Sequence, residues 1–385
     1  MKNKKNFLKR RQLLVGATAL TAAAGLLASC KEKIDGGTPE NPGKSTSISK
    51  GIIQWKMITC WPRDFPGGGT QSQKLAKRIT ESSGGKLEVK NFAANEIVPA
   101  FEVFDAVREG TAECGHAAPY YWISKHKAIP FFCTVPGGMT AMEKAAWIIY
   151  GGGQELWDEL YGEFGVKSFL AGNTGVQMGG WFQKEINSME DFQGIKMRMP
   201  GLGAEVVNRM GGTAVNMPAG EIMPALQSGV IDAAEWVGPW NDLALGFYKV
   251  AKYYYGPGFH EGGIANELII NKASFESLSN DLKSLVRDAC HASALEGPSE
   301  YFANSGYSLD VLKQEHNVDV RPFPKDVLNN MFKISKQVVE ETASLGPLHE
   351  KIYNSWNNFL NQSMRYQQYG DFGYMRDRAQ AYEKL

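Results

Sequence analysis

The chain has 385 residues, of which 43% are hydrophobic, 11% aromatic and 21% charged. That length accommodates two ordinary domains or one large one, and the composition excludes a disordered tail, a collagen and a membrane bundle. Overall 41 basic residues balance 41 acidic ones, but six bases and no acid fall in the first 29 residues, so the remainder carries 35 bases against 41 acids, a net of −6. An acidic body without a basic stripe argues against nucleic acid as a partner, because that affinity comes largely from Lys and Arg on phosphates.

Residues 1–29 read as an export signal. Lys2, Lys4, Lys5, Lys9, Arg10 and Arg11 form a basic head, and Gln12 to Ala28 follow without a charge. Adjacent Arg10 and Arg11 before Gln-Leu-Leu point to the twin-arginine route. The uncharged run is rich in Ala and Thr and sits at the lower edge of spanning length, so a retained anchor is the competing reading. Leu27-Ala28-Ser29-Cys30 resembles a lipobox with Cys30 as the lipidation site, against an accidental cysteine after small residues. The stretch over 30–51 is rich in Gly, Pro, Ser, Thr and charge and reads as a flexible tether. The remaining cysteines, Cys60, Cys114, Cys133 and Cys290, show no metal-type spacing.

The body then alternates strand and helix. Ile52 to Ile58 predicts a strand, followed by a Pro- and Gly-rich loop and a helix with Leu75, Ala76 and Ile79 on one face. Leu87 to Phe92 predicts a second strand, Pro99 opens a helix, and Cys114 to Pro119 predicts a third strand. Beyond it, Val176 to Phe182, Ile195 to Met199 and Val230 to Ala234 read as strands, with helices over Ala204 to Met210 and Glu221 to Gln227. From Asn271 the pattern is helical, over Leu278 to Leu295, Tyr301 to Glu315, Asp326 to Ser344 and Ile352 to Met364; the last 20 residues lack a clear period. Such alternation implies an α/β class with mostly parallel sheets and ligands at strand carboxyl ends.

Signatures of catalysis are missing: the sequence has no GxSxG, HExxH, P-loop or complete GxGxxG. What stands out is chemistry for a carboxylate. Arg198 lies at the carboxyl end of Ile-Lys-Met-Arg-Met, where a planar guanidinium suits a bidentate grip; an ordinary surface arginine is the alternative. Glu235-Trp236 follows directly on a strand and precedes a rigid Gly-Pro-Trp loop, as a salt-bridge partner or a hard-cation ligand. Gln177 sits among glycines, where its amide oxygen can join such a cation. His260-Glu261, between Gly-Pro-Gly-Phe and Gly-Gly, is a candidate site loop.

The stretches WKMITCWPRDFPGGG, GNTGVQMGGWF, KMRMPGLGAEV, PALQSGVIDAAEWVGPWNDLALGF and KYYYGPGFHEGG resemble the extracytoplasmic solute receptors of tripartite ATP-independent periplasmic (TRAP) transporters, within the branch that binds 2-oxo or 2-hydroxy monocarboxylates. The resemblance implies a two-lobed periplasmic-binding-protein-like fold with crossing strands and a long C-terminal helical extension. The expected division is lobe I over 52–173 plus about 262–300, lobe II over 174–261 and a helical region over about 301–385. It implies a receptor that passes a small organic acid to permease subunits, with the exported α/β enzyme as the alternative function. It further implies a bridging Na+ or Ca2+ held by Gln177, Glu235 and the Trp236 carbonyl, and an acid held by Arg198, Gln177 and Trp236. Tyr121 and Phe259 would complete the acid's walls, with Trp61, Tyr120 and Trp122 as further wall candidates, and plain core packing is the alternative for each of the five. A homodimer and a periplasmic location with a lipid anchor at Cys30 complete the expectation.

Overall fold

The structure, a computed structural model, describes residues 51–383. The export signal, Cys30 and nearly all of the 30–51 tether therefore lie outside the described residues. Among the described residues no helix is long and apolar enough to cross a membrane.

Burial alternates along β1 (Ile53–Thr59): Trp55 and Met57 point inward while Gln54 and Lys56 face solvent, as a strand on a core requires. The chain continues through α1 (Gly68–Ser82), β2 (Leu87–Phe92), α2 (Val103–Arg108) and β3 (Cys114–Ala117). Helices α3 (Pro130–Cys133), α4 (Ala141–Tyr150) and α5 (Gly153–Gly162) lead to β4 (Val166–Asn173). The chain continues through β5 (Gly180–Phe182), β6 (Lys196–Arg198), α6 (Gly201–Arg209), β7 (Thr213–Val215), α7 (Ala219–Gln227), β8 (Ala233–Ala234), α8 (Pro239–Leu245) and β9 (Tyr253–Tyr255). The chain then returns along β10 (Ala265–Asn271) and enters α9 (Lys272–Glu276) and α10 (Asn280–Gln314). Strand β11 (Asp319–Arg321) precedes α11 (Lys325–Ala343), α12 (Pro347–Gln367) and α13 (Asp371–Tyr382).

Two sheets result, ordered β2-β1-β3-β10-β4 and β11-β9-β5-β8-β6-β7. They are mixed rather than mostly parallel. Strand β4 leads out of the first sheet and β10 comes back into it, so the two pair antiparallel, and β10 runs antiparallel to β3 as well. In the second sheet β5 is antiparallel to both β8 and β9, whereas β6 is parallel to β7 and β8. These out-and-back strands cross between the lobes.

Five expectations about elements need correction. The helices expected over Leu278 to Leu295 and Tyr301 to Glu315 are one 35-residue helix, α10, which runs through Pro298. Its Gly297 lies so close to the end of β4 that a Cβ there would come within 2.9 Å of the Asn173 nitrogen, so packing holds the helix together where proline removes a donor. Only Gly180 to Phe182 of the segment from Val176 is strand, because Gln177, Met178 and Gly179 donate instead to Glu261, Val237 and Tyr255 in three other segments. Only Ala233 and Ala234 of the run from Val230 are strand, because the Val230 and Ile231 amides close the end of α7 on the Ala225 carbonyl. The tail folds as α13, whose side chains are nearly all exposed, which explains the missing period; β11 also interrupts the expected helical region by pairing with β9.

Aromatic packing ties α3, α4 and α5 together, with Phe132 stacked between Trp147 and Trp157 at centroid distances of 5.6 and 5.3 Å. Cys60, Cys114, Cys133 and Cys290 are buried free thiols.

Candidate functional site

Parallel pairing of β6 with β8 sets Arg198 beside Ala234, so the guanidinium and the next residue of β8's chain, Glu235, emerge together at the carboxyl edge of the second sheet. Lys196, on the same face at the start of the strand, remains in solvent, whereas Arg198 and Glu235 are both 0% exposed. The Glu235 amide donates to the Arg198 carbonyl at 3.3 Å. In return Arg198 Nη1 donates to the Glu235 carbonyl at 2.8 Å and forms an ion pair with its carboxylate. The guanidinium also lies over the Trp236 ring, 4.8 Å from its centroid. Its own charge is held firmly: burial is the largest influence and opposes it, but Glu235, Tyr121, Tyr120 and Glu261 together outweigh burial and raise the pKa.

The loop after β9 closes the site from the other side. His260 Nε2 lies 3.0 Å from Glu235 Oε2, and a ligating atom from each of Glu235, His260 and Glu261 falls within 4.8 Å of the others. Burial pushes the Glu261 carboxyl well up, Glu235 adds to the shift and Arg198 opposes it. Gln177 is tied into the same place by its backbone, which donates to the Glu261 carbonyl and accepts from Gly258. Its Nε2 donates to Thr174 Oγ1 at 2.9 Å.

Several buried polar atoms here have no protein partner: Gln177 Oε1, Arg198 Nη2, Glu261 Oε2 and the Trp236 indole nitrogen. An unpaired buried polar group costs about 1–3 kcal/mol, so their concentration at one point marks a binding site rather than core. Carboxylate and amide oxygens from Glu235, Glu261 and Gln177 form a donor set suited to a hard cation, and the free edge of Arg198 suits a carboxylate.

An aromatic cavity adjoins this cluster, lined among others by Trp61, Phe65, Tyr120, Tyr121, Trp236 and Asn266. Tyr120 and Tyr121 sit close enough to Arg198 to feel its charge, although burial dominates and raises both phenols. Phe259 is placed differently: it packs beside His260, with ring centroids 5.3 Å apart, and does not line that cavity. Trp122 is turned into the core, where its indole donates to Glu267 of β10 at 2.7 Å.

A model of the bacterial extracellular solute-binding proteins, family 7, the DctP family, matches residues 59–345. The chain belongs to this family. It is a TRAP-type extracytoplasmic solute receptor. A monocarboxylate 2-oxoacid-binding periplasmic protein of Nostoc sp. is 36% identical over 369 residues, which covers 95% of this chain and 98% of that one. Among solved structures, a TRAP periplasmic solute binding protein of Colwellia psychrerythraea with bound calcium and pyruvate is 40% identical, with a TM-score of 0.82 over 85% of this chain and 99% of its own. A counterpart from Pseudoalteromonas atlantica with bound sodium and pyruvate is 38% identical, with a TM-score of 0.82 over 84% of this chain and 99% of its own.

The structure thus brings Arg198, Glu235, Trp236 and Gln177 together with His260 and Glu261, which the sequence offered only as a candidate loop. Asn266, on the crossing strand β10, carried no sequence signal, because an isolated Asn within an apolar run reads as a strand residue and nothing more.

Proposed function

We propose that the receptor captures a small 2-oxo or 2-hydroxy monocarboxylate together with Na+ or Ca2+ and hands it unchanged to TRAP permease subunits. The observation that carries this reading is the convergence of unpartnered Gln177 Oε1, Arg198 Nη2 and Glu261 Oε2 beside the buried Arg198–Glu235 pair. In this reading the free Nη2 edge of Arg198 takes the acid's carboxylate. Glu235 and Gln177 hold the cation with the Trp236 carbonyl, and Trp236 and Tyr121 wall the acid. A cation bound there supplies a positive centre that offsets the charge of the acid and the carboxylates. The acids bound in the similar Colwellia, Pseudoalteromonas and Nostoc proteins support the ligand class.

The lobes are assigned as 52–173 with about 262–300, and 174–261. This division is supported by a first sheet drawn from 53–117, 166–173 and 265–271, and by a site formed where the two segments meet. Closure about the crossing strands would remove water from the acid. Export by the twin-arginine route and lipidation at Cys30 rest on Arg10-Arg11 and Leu-Ala-Ser-Cys. Pairing into a homodimer is supported by α13, where Phe372, Tyr374, Met375 and Tyr382 are all exposed. Light scattering on the mature protein checks the pairing, and a monomer at working concentration counts against it.

The deciding experiment is calorimetric titration of metal-stripped protein with pyruvate, alone and with added Ca2+ or Na+. Saturable binding that strengthens with cation and returns the acid unchanged is expected. Cation-independent binding removes the bridging role, and turnover of the acid favours an enzyme.

A further inference from the structure

The aromatic cavity also carries an unsatisfied amide. Asn266 lines the cavity from β10 and is 1% exposed; its Oδ1 has no partner. Its Nδ2 reaches Gln71 Oε1 of α1 at 3.5 Å, a marginal bond, and Gln71 Nε2, 3% exposed for the residue, has no partner either. The amide pair therefore leaves one acceptor and one donor unsatisfied. Turning both amides over preserves that count, with Gln71 Oε1 and Asn266 Nδ2 left free instead, so the chemistry does not depend on how the amides are assigned.

Space for the pair is built into the backbone. A Cβ on Gly172 would come within 2.8 Å of Gln71 Oε1 and 3.3 Å of the Asn266 amide, and a Cβ on Gly297 would come within 3.2 Å of Gln71 Nε2. Two glycines, one on β4 and one on α10, thus let two amides sit buried together, with Asn266 on the wall of the aromatic-rich chamber and Gln71 behind it. No lining residue of the chamber is ionisable apart from its tyrosines. A second carboxylate on the ligand would lack a counter-charge there, whereas a neutral group that both donates and accepts would satisfy both free atoms.

We infer that Asn266 and Gln71 read a hydroxyl on the ligand's carbon chain, so the receptor favours hydroxylated 2-oxo monocarboxylates over their plain alkyl counterparts. This rests on the proposed function, with the carboxylate held at Arg198 and the chain directed toward lobe I. A site with buried hydrogen-bonding groups discriminates against an analogue that leaves them unpaired, whereas an apolar wall barely separates isosteres.

Isosteric pairs provide the test, by calorimetry on the cation-loaded receptor. 3-Hydroxypyruvate is compared with 2-oxobutanoate, and 4-hydroxy-2-oxobutanoate with 2-oxopentanoate, with pyruvate as reference. The hydroxylated member of at least one pair is expected to bind on the order of tenfold tighter. Asn266→Leu, nearly isosteric, is expected to abolish or reverse that ratio while changing pyruvate affinity less. Gln71→Leu is the second variant should the first fail to fold, and is expected to reduce the same ratio. Alkyl acids that bind as tightly as their hydroxylated partners overturn the inference, as does an unchanged ratio in the folded variants. Failure of every 2-oxo acid to bind wild type would instead refute the receptor's proposed ligand class, and this inference with it.

Discussion

Arg198→Lys separates the shape of the guanidinium from its charge. In the structure Nη1 is committed to the Glu235 carbonyl and carboxylate, while Nε makes only a long 3.4 Å contact with the Met217 carbonyl. Nη2 is buried and open. A lysine ammonium can replace the Nη1 contacts, but it has no planar fork from which a second donor addresses the acid in a fixed direction. The expected loss is one charge-assisted hydrogen bond, about 1.5–3 kcal/mol, or roughly 10- to 150-fold in Kd. Stacking over the Trp236 ring at 4.8 Å is lost too, which places the outcome toward the upper part of that range. Because Lys still faces Glu235 with a positive charge, the fold is expected to survive. Arg198→Ala is expected to cost about 3–5 kcal/mol of stability, by leaving a buried carboxylate without its counter-charge. Calorimetry at saturating Ca2+ reads the affinity and thermal melting reads the fold. A lysine variant that binds pyruvate within twofold of wild type would show that Arg198 does not grip the acid.

Glu235→Gln is expected to make acid binding depend on added metal ion, because an amide oxygen is a poorer ligand for a hard cation; titrations varying Ca2+ at fixed pyruvate check this, and unchanged binding in metal-depleted buffer contradicts it. Asn241 of α8 accepts from Tyr301 of α10 and donates to the Pro66 carbonyl, both at 2.8 Å, so it clasps the loop after β1 to α8 and α10. Asn241→Leu is expected to speed acid dissociation on the order of tenfold with little change in association, measured by stopped-flow fluorescence; an unchanged dissociation rate removes the clasp. Burial lifts the Glu267 carboxyl to about 7 despite donors from Ser168, Trp122 and Tyr161, so its folded value lies above its unfolded one. The folded state then holds the extra proton, and stability falls as pH rises from about 4.5 to about 7. Glu267→Gln is expected to flatten that slope in denaturant melts, leaving the part due to Asp242, which burial also lifts to about 7, and to Glu261, which burial raises as well.

How much of this was legible in the sequence depends on whether a feature is local. The strand ending at Arg198 and the Glu235-Trp236 step announce themselves, because a charge at the end of a short apolar run has few other uses. Their pairing is not local: it follows from the parallel register of β6 with β8, about 35 residues apart in the chain. Gln177 was legible through its glycine neighbours, though its segment is not the strand its hydrophobicity suggests, because three other segments supply the partners of its backbone. Helix α10 reads as two in the sequence because Gly297-Pro298 is a strong local breaker, and only close approach to β4 explains the glycine. Strands β4 and β10 are buried on both faces and lack alternation, so period gave no handle on the elements that join the lobes.

The geometry also explains how a buried arginine and several carboxylates can stand ready without collapsing onto one another. Asp242, 1% exposed, accepts from the Val237 and Gly238 amides at 3.3 Å and from Trp181 and Tyr254 at 2.9 and 2.7 Å. Trp181 in turn pairs in register with Ala234, the residue before Glu235. The loop bearing Glu235 and Trp236 is therefore fixed at its entrance by the sheet and at its exit by a carboxylate in the core. His260 then holds one oxygen of Glu235 while Arg198 holds the other. With loop and carboxylate both immobilised, Arg198 Nη2 and Gln177 Oε1 remain as contacts that a ligand can complete without first ordering the protein. That arrangement lowers the entropic cost of binding, and it is the reason for expecting Arg198→Lys, which keeps the charge facing Glu235, to act on affinity more than on the conformation of the loop.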